Sequence, residues 1–363
     1  MFALAAVTAL CLAFPQAALA KVTVDENELA QGENSVGGGK ATLSDTSLDM
    51  TDVTAGNVQV DEDLAINFNG GNNVGVLDIE GSADVEVSFT GDNAVEDIHV
   101  HDESSAIINA DGHNDFEEVE AFEDASVTVN VTGENDFETI EGHGNADVTV
   151  RGTGCQERDV ANVGSGEKEA GVSAENGNVR IDHVTVNLES ETARVGSKTG
   201  DVVIDTSKIA SGDDNEYTEV IAGGTMEVTE SVIEITGTVH SGGQMTIAHS
   251  DVEVKAPDAK YDSSPYRVYS NTCIELIRED NGEVREGDID GKKVFYVDTD
   301  DNNGREVDLE ADGEPGYYKC KGEALTRGMA SNTGDDTNPF VPMVAGIASA
   351  ATAWFASRRR ETA

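Results

Sequence analysis

The sequence predicts an all-β chain, a parallel β-helix solenoid, and three observations predict it. Residues 64–147 divide without a gap into four equal units that begin at Leu64, Val85, Ala106 and Val127. Each unit alternates apolar and polar positions with the two-residue period of a strand that buries one face, as in Val85-Glu86-Val87-Ser88-Phe89. Fixed columns recur from unit to unit: Gly70, Gly91, Gly112, Gly133 and Gly154, then Asn72, Asn93, Asn114 and Asn135. A unit this short cannot bury its apolar face alone, and stacking identical units at the strand spacing of about 4.8 Å solves that problem. Glycine supplies turns that need positive φ, and an asparagine column can hydrogen-bond along the stack, which makes it structural in this reading.

Taken from the start, residues 1–20 are expected to be a signal peptide. An apolar run from Phe2 to Phe14 is followed by Ala18-Leu19-Ala20, so cleavage is expected between Ala20 and Lys21. No Lys or Arg precedes that run, and an uncleaved anchor is the alternative. Residues 21–63 read as an N-terminal cap with irregular first rungs, and 64–151 as the regular solenoid. The Gly-rich, charged stretch 152–176 reads as an insert loop. A looser set of rungs follows over 177–256, opened by Gly177, Gly200, Gly224 and Gly243 at unequal intervals. A β-branched or hydroxyl residue stands three positions after each run, at Val184, Ser207, Ser231 and Ser250. From Pro257 the repeat fades, and 257–321, rich in Tyr and Phe, is expected to form a small β cap that closes the solenoid's edge. Within it, Asp298–Gly304 reads as a hairpin turn rather than a calcium loop. Cys273 and Cys320 are the natural disulfide pair after export, leaving Cys155 over.

The last segments read as a polar linker (322–339), an apolar transmembrane helix (340–357) and a basic cytoplasmic tail (358–363). Eighteen residues at helical rise span about 27 Å, enough for most of a hydrocarbon core, and Arg358-Arg359-Arg360 would stay inside the cell. Polar motif, apolar span and basic tail in this order resemble the sorting signal of sortase substrates in Gram-positive bacteria. Thr333 and Gly334 match that family's scissile pair and Asn332 its variable position, while Ala330 and Ser331 stand where the family has Leu and Pro. The resemblance implies display at the cell surface: a sortase-like transpeptidase and peptidoglycan as partners, or retention in the plasma membrane through 340–357. The Gly-x-apolar-x-Ile rungs resemble right-handed β-helices of bacterial surface and carbohydrate-associated proteins, including carbohydrate-binding and pectate-lyase-like families. That resemblance implies an extracellular glycan or host surface as the ligand.

Charge narrows the function further. A formal net charge of −48 repels DNA, RNA and anionic membranes, so nucleic-acid binding is excluded, while metal ions and cationic surfaces stay open. No Gly-x-Ser-x-Gly, C-x-x-C or zinc-spaced Cys/His motif occurs. The chain therefore reads as a non-enzyme that displays an extended surface for adhesion or carbohydrate binding. A structural stalk without a ligand is one alternative, and a polysaccharide lyase is another. The lyase would need a basic residue facing an acidic cluster, and Arg151 and Arg180 are the basic side chains in strand-like runs.

Glu96, Glu117 and Glu138 recur once per unit on an outward face. Stacked carboxylates repel unless a cation or wide splaying intervenes, so these three are candidate ligands for calcium along the face. Histidines group as well: His99 falls in one column with Asp78 and Glu120, and His101 lies two rungs from His143; such donors could bind a transition metal, but none is expected there from the sequence.

Overall fold

Side-chain alternation builds the rungs. In the strand Asp84–Gly91, Val85, Val87 and Phe89 are buried while Glu86 and Ser88 face outward. The strand Ser105–Gly112 stacks on it in parallel, with Val85 opposite Ala106, Val87 opposite Ile108 and Phe89 opposite Ala110. Apolar residues thus land on apolar residues at each rung, and the chain is an all-β parallel solenoid. This computed structural model describes residues 21–153, 159–165, 167–212, 215–248 and 250–255. Beyond them it describes the strands Val268–Ser270, Ile274–Ile277, Lys293–Tyr296, Arg305–Asp308, Tyr317–Lys321 and Ala324–Gly328. One compact unit ends at Gly328, and the second, 329–363, lies outside the described residues.

Two sheets line the solenoid. Sheet B carries Asp84–Gly91 and its copies. Sheet A carries Ala94–Val100, in parallel register with Asn73–Ile79 before it and Asp115–Ala121 after it. Sheet A strands are bent: Val95, Ile98 and Val100 point inward, whereas Glu96 and Asp97 both point out. The inward residues of the two sheets make one continuous core. Its aromatic members change sheets along the axis. Phe68 stacks on Phe89 in sheet B at 4.7 Å, and Phe116 stacks on Phe137 in sheet A at 5.0 Å. An edge-to-face contact of 5.0 Å between Phe89 and Phe116 joins the two pairs. Rungs with Phe in sheet B carry Val74 and Val95 in sheet A, and rungs with Phe in sheet A carry Ala110 and Val131 in sheet B. One large ring per rung fills the space between the sheets without overpacking it.

The corners between the sheets need left-handed backbone. Gly70, Gly91, Gly112 and Gly133 sit at φ of 87°, 100°, 113° and 80°, as their column predicts, and a Cβ on Gly112 would lie 3.1 Å from the Gly91 carbonyl oxygen. Gly154, the fifth of that column, lies outside the described residues. Beside this corner the asparagine ladder is fully formed and buried. Each Nδ2 donates to the Oδ1 one rung on, from Asn72 to Asn93 at 2.9 Å, Asn93 to Asn114 at 3.0 Å and Asn114 to Asn135 at 2.8 Å. At the head of the ladder the Val53 N–H donates to Asn72 Oδ1.

The stretch expected as an insert loop is a rung instead. Val160–Val163 and Glu169–Ala174 stack in parallel on Glu134–Phe137 and Thr139–Gly142, the sheet A part of the long strand Ser126–Gly142, and bury Ala161, Val163, Val172 and Ala174. Ala161, Ala170, Gly171 and Ala174 are small and Glu169 is charged, so no apolar run marks these strands in the sequence. The extra residues lie at the bend of sheet A, where Glu138 stands one rung earlier. They split each bent strand into two, and the longer rungs of the second set keep that split. In the shortest rung, Val232–Ser241 runs through as one strand again.

In this second region Val179–Asp182, Val202–Asp205, Met226–Thr229 and Met245–Ala248 continue sheet B. Ser207, Ser231 and Ser250 form a corner ladder of another kind. Each hydroxyl donates to a carbonyl two residues back, at 2.7 Å, and accepts the N–H of the rung before it.

Antiparallel strands cover both ends of the stack. Val22–Val24 pairs antiparallel with Thr54–Val60, and Gly39–Leu43 with Ser47–Thr51, so the first rung exposes no parallel edge. At the other end parallel stacking runs past residue 257, through Val268–Ser270, Ile274–Ile277 and Lys293–Tyr296. Arg305–Asp308 then turns back antiparallel on Lys293–Tyr296, and Tyr317–Lys321 on Ile274–Ile277. No helix among the described residues is long and apolar enough to cross a membrane.

Candidate metal-binding face

The two sheets present different chemistry outward. Sheet B shows a neutral column in which Asn130 Nδ2 donates to Asn109 Oδ1 at 2.8 Å, and Asn109 Nδ2 donates to Glu86 at 3.0 Å. Sheet A shows carboxylates and imidazoles. Part of the acidity serves the backbone: at the corner that leads from sheet A back to sheet B, Gly81, Asp102, Glu123 and Gly144 are all left-handed, with φ between 62° and 79°. There the Gly81 N–H donates to Asp102 Oδ2 at 3.0 Å, and the Asp102 N–H to Glu123 Oε2 at 3.1 Å. These acids satisfy turn donors of the neighbouring rung, and the shallow hollow they line with Ser82 and Asp124 is open to solvent.

Glu96 and Glu117 are exposed and Glu138 is half-buried, all at the bend of sheet A. Burial, then repulsion from Glu167 and Glu117, pushes the Glu138 carboxyl above the ordinary glutamate range. Glu118, on the neighbouring outward column, is pushed up by burial and by Glu120, Asp97 and Glu141, with His99 opposing. The expected crowding of negative charge is therefore present on this face. Among the described residues, however, the groups that converge to metal-ligand distance lie two columns away.

There the histidines and acids interleave. Asp78, His99, Glu120 and Glu141 form one column of sheet A, in strict parallel register. Glu80, His101, Phe122 and His143 follow at the start of the corner. His99 Nδ1 lies 3.2 Å from Asp78 Oδ1, and His101 Nε2 lies 3.9 Å from the same oxygen. On its other side His99 Nε2 is 3.4 Å from Glu120 Oε2, and Glu120 Oε1 is 2.9 Å from His143 Nε2. Glu141 closes the chain, 4.0 Å from His143. Two triads result, Asp78 with His99 and His101, and Glu120 with Glu141 and His143; within each, the donor atoms lie within 4.8 Å of one another. The Phe122 ring is sandwiched between the imidazoles of His101 and His143, with centroids 4.7 and 4.9 Å apart and planes within 7° and 19°. Sequence columns bring Asp78, His99 and Glu120 together. Phe122 and Glu141 escape that reading, although His101, Phe122 and His143 are spaced by one repeat each.

Arg151 and Arg180 lie on the outer face of sheet B. Arg180 is 3.4 Å from Asp182 and 3.6 Å from Asp205, and Arg151 is 3.7 Å from Asp182. These are ion pairs on an open sheet, half in solvent. No family model, no curated protein and no solved structure matches the chain. Ala20, Cys155, Cys273, the turn Asp298–Gly304, Thr333, Gly334 and the apolar span 340–357 lie outside the described residues. Lys21 is exposed just before the first strand, and Cys320 lies on the strand Tyr317–Lys321.

Proposed function

We propose that this chain is an exported, envelope-anchored β-solenoid that displays an extended acidic face for adhesion, holding an extracellular glycan or a host surface through cation-bridged contacts. One observation carries the reading: sheet A lines up outward acids from rung to rung, with Glu118 and Glu138 pushed toward their protonated forms by burial and then by neighbouring carboxylates, while Ser88, Asn109 and Asn130 give the same rungs of sheet B a neutral outward column. Such a face repeats along the axis, as an extended polymer does, and offers many weak contacts rather than one enclosed pocket. Two anchors are open: a sortase-like transpeptidase breaks the Thr333–Gly334 bond, joins the Thr333 carbonyl to a peptidoglycan amine and releases 334–363, or the uncut chain stays in the membrane through the apolar span 340–357 and its arginines. A polysaccharide-active enzyme is the competing reading. It needs a basic group free to act beside an acidic cluster, and Arg180 is engaged by Asp182 and Asp205.

The test is retention of the purified full chain on a panel of immobilised polysaccharides, with calcium and with chelator. Calcium-dependent retention without change to the polymer supports display. Shortening of the polymer would put the enzyme reading first, and no retention in either condition would leave a structural stalk.

A further inference from the structure

The interleaved histidines and acids on sheet A do more than add to its charge. We propose that Asp78, His99 and His101 hold a divalent transition-metal ion of the zinc class, and that Glu120, Glu141 and His143 form a second seat beside it. Three features of the geometry lead there. First, the donor set is mixed: two imidazole nitrogens and one carboxylate oxygen select borderline metals, whereas calcium takes oxygen ligands. Second, the spacing suits such an ion. Tetrahedral zinc with bonds of about 2.0–2.1 Å sets its ligand atoms about 3.3 Å apart, and Asp78 Oδ1 already stands 3.2 and 3.9 Å from the two histidine nitrogens. Third, the ligands are held. His101 is pinned flat against Phe122 at 4.7 Å. His99 turns Nδ1 to Asp78 and Nε2 to Glu120, so with a metal on Nδ1 the remaining N–H donates to a carboxylate, the arrangement that orients metal-bound histidine.

The side chains are half-buried, which leaves an open position for water or for a donor from a partner. Glu120 has two tasks: one oxygen faces His99 and the other faces His143, which couples the two seats. The second seat has two oxygens and one nitrogen and is the harder of the pair, so it fills after the first. Zinc occupancy is read directly and does not depend on whether the face binds a glycan.

The experiment is calorimetric titration of the chelator-stripped full chain with zinc chloride and, separately, calcium chloride, with cobalt substituted for zinc to report tetrahedral coordination by the intensity of its visible absorption. Zinc is expected to bind and calcium not to compete at equal concentration. His101→Phe keeps the ring stack on Phe122 and removes the nitrogen, so it separates ligation from folding; as loss of a direct ligand it is expected to weaken zinc binding by more than the roughly 10–100-fold that loss of an outer-shell partner costs. His99→Ala should also abolish the cobalt bands, Glu120→Gln should cost about tenfold, and Glu117→Gln should leave zinc binding unchanged. Zinc affinity unaltered in His101→Phe, equal competition by calcium, or loss that follows Glu117→Gln would overturn the proposal.

Discussion

The regular rungs up to residue 152 and the uneven rungs from 177 to 255 solve the same corner problem with different side chains, and the difference explains why one repeat is strict and the other is not. An asparagine amide both donates and accepts, so Asn93 can bond to an identical residue above and below. That ladder works only if every rung supplies an asparagine at the same height, which ties all four units to one length. A serine hydroxyl donates within its own rung and accepts a backbone N–H from the previous one, as Ser231 does from Ser207. Each link ends on backbone and no identical partner is needed, so rungs of unequal length stack equally well. Strict repetition is the consequence of a side chain that pairs with its own kind.

The comparison can be broken at its strongest point first. Only the regular region, among the described residues, has an aromatic stack in its core. Phe116→Ala should therefore cost about 3–5 kcal/mol, and denaturant unfolding should lose that amount while the uneven rungs keep their amide protection. Next comes the ladder itself. Asn114→Ala removes the acceptor of Asn93 and the donor to Asn135, and should cost about 2–3 kcal/mol through buried groups left without partners. Hydrogen exchange should rise on both neighbouring rungs. Ser231→Ala takes the acceptor from the Ser207 N–H and a donor from the Thr229 carbonyl, which still accepts from the Thr206 N–H, and about 1 kcal/mol is expected; equal effects for Asn114 and Ser231 would remove the distinction.

Acidification gives the smallest effect and opposite signs in the two regions. Glu118 and Glu138 have carboxyls raised above the unfolded value of 4.5, chiefly by burial and then by neighbouring carboxylates. The folded state there binds protons more readily, so the penalty is full at neutral pH and is relieved as pH falls through the folded values toward 4.5. His240, in the uneven rungs, is held below 6.5 by burial, with Glu219 opposing and Arg194 adding to the depression. Its contribution is intact above 6.5 and is lost as pH drops below that value. Exchange corrected for its intrinsic pH dependence, between about pH 7.5 and the unfolded carboxylate value of 4.5, should slow on sheet A near Glu118 and quicken near His240. Change of one sign in both places would contradict the assignment.

Much of the solenoid is legible in advance because its information is local. Alternation says which side chains point inward, and column identity says which residues meet vertically. Val85 over Ala106 and Asn93 over Asn114 follow from counting one repeat along the chain. The rung at 160–174 is hidden because Ala161 and Ala174 share its core positions with Val163 and Val172, and small Ala170 and Gly171 beside charged Glu169 blur the alternation. The glutamate column at Glu96, Glu117 and Glu138 is visible for the same reason the core is, yet vertical order alone does not bring ligand atoms together.

The repeat, the two faces and the strict asparagine corner are thus written in the order of residues, since period and column are one-dimensional quantities. Which outward groups converge is a matter of three dimensions. His101 meets Asp78 diagonally, across one rung and one column, and His99 touches an acid on each side. Those distances depend on the bend of sheet A and on the offset between successive rungs, which spacing along the chain does not set, although the ring stack at Phe122 follows the one-repeat spacing of His101, Phe122 and His143.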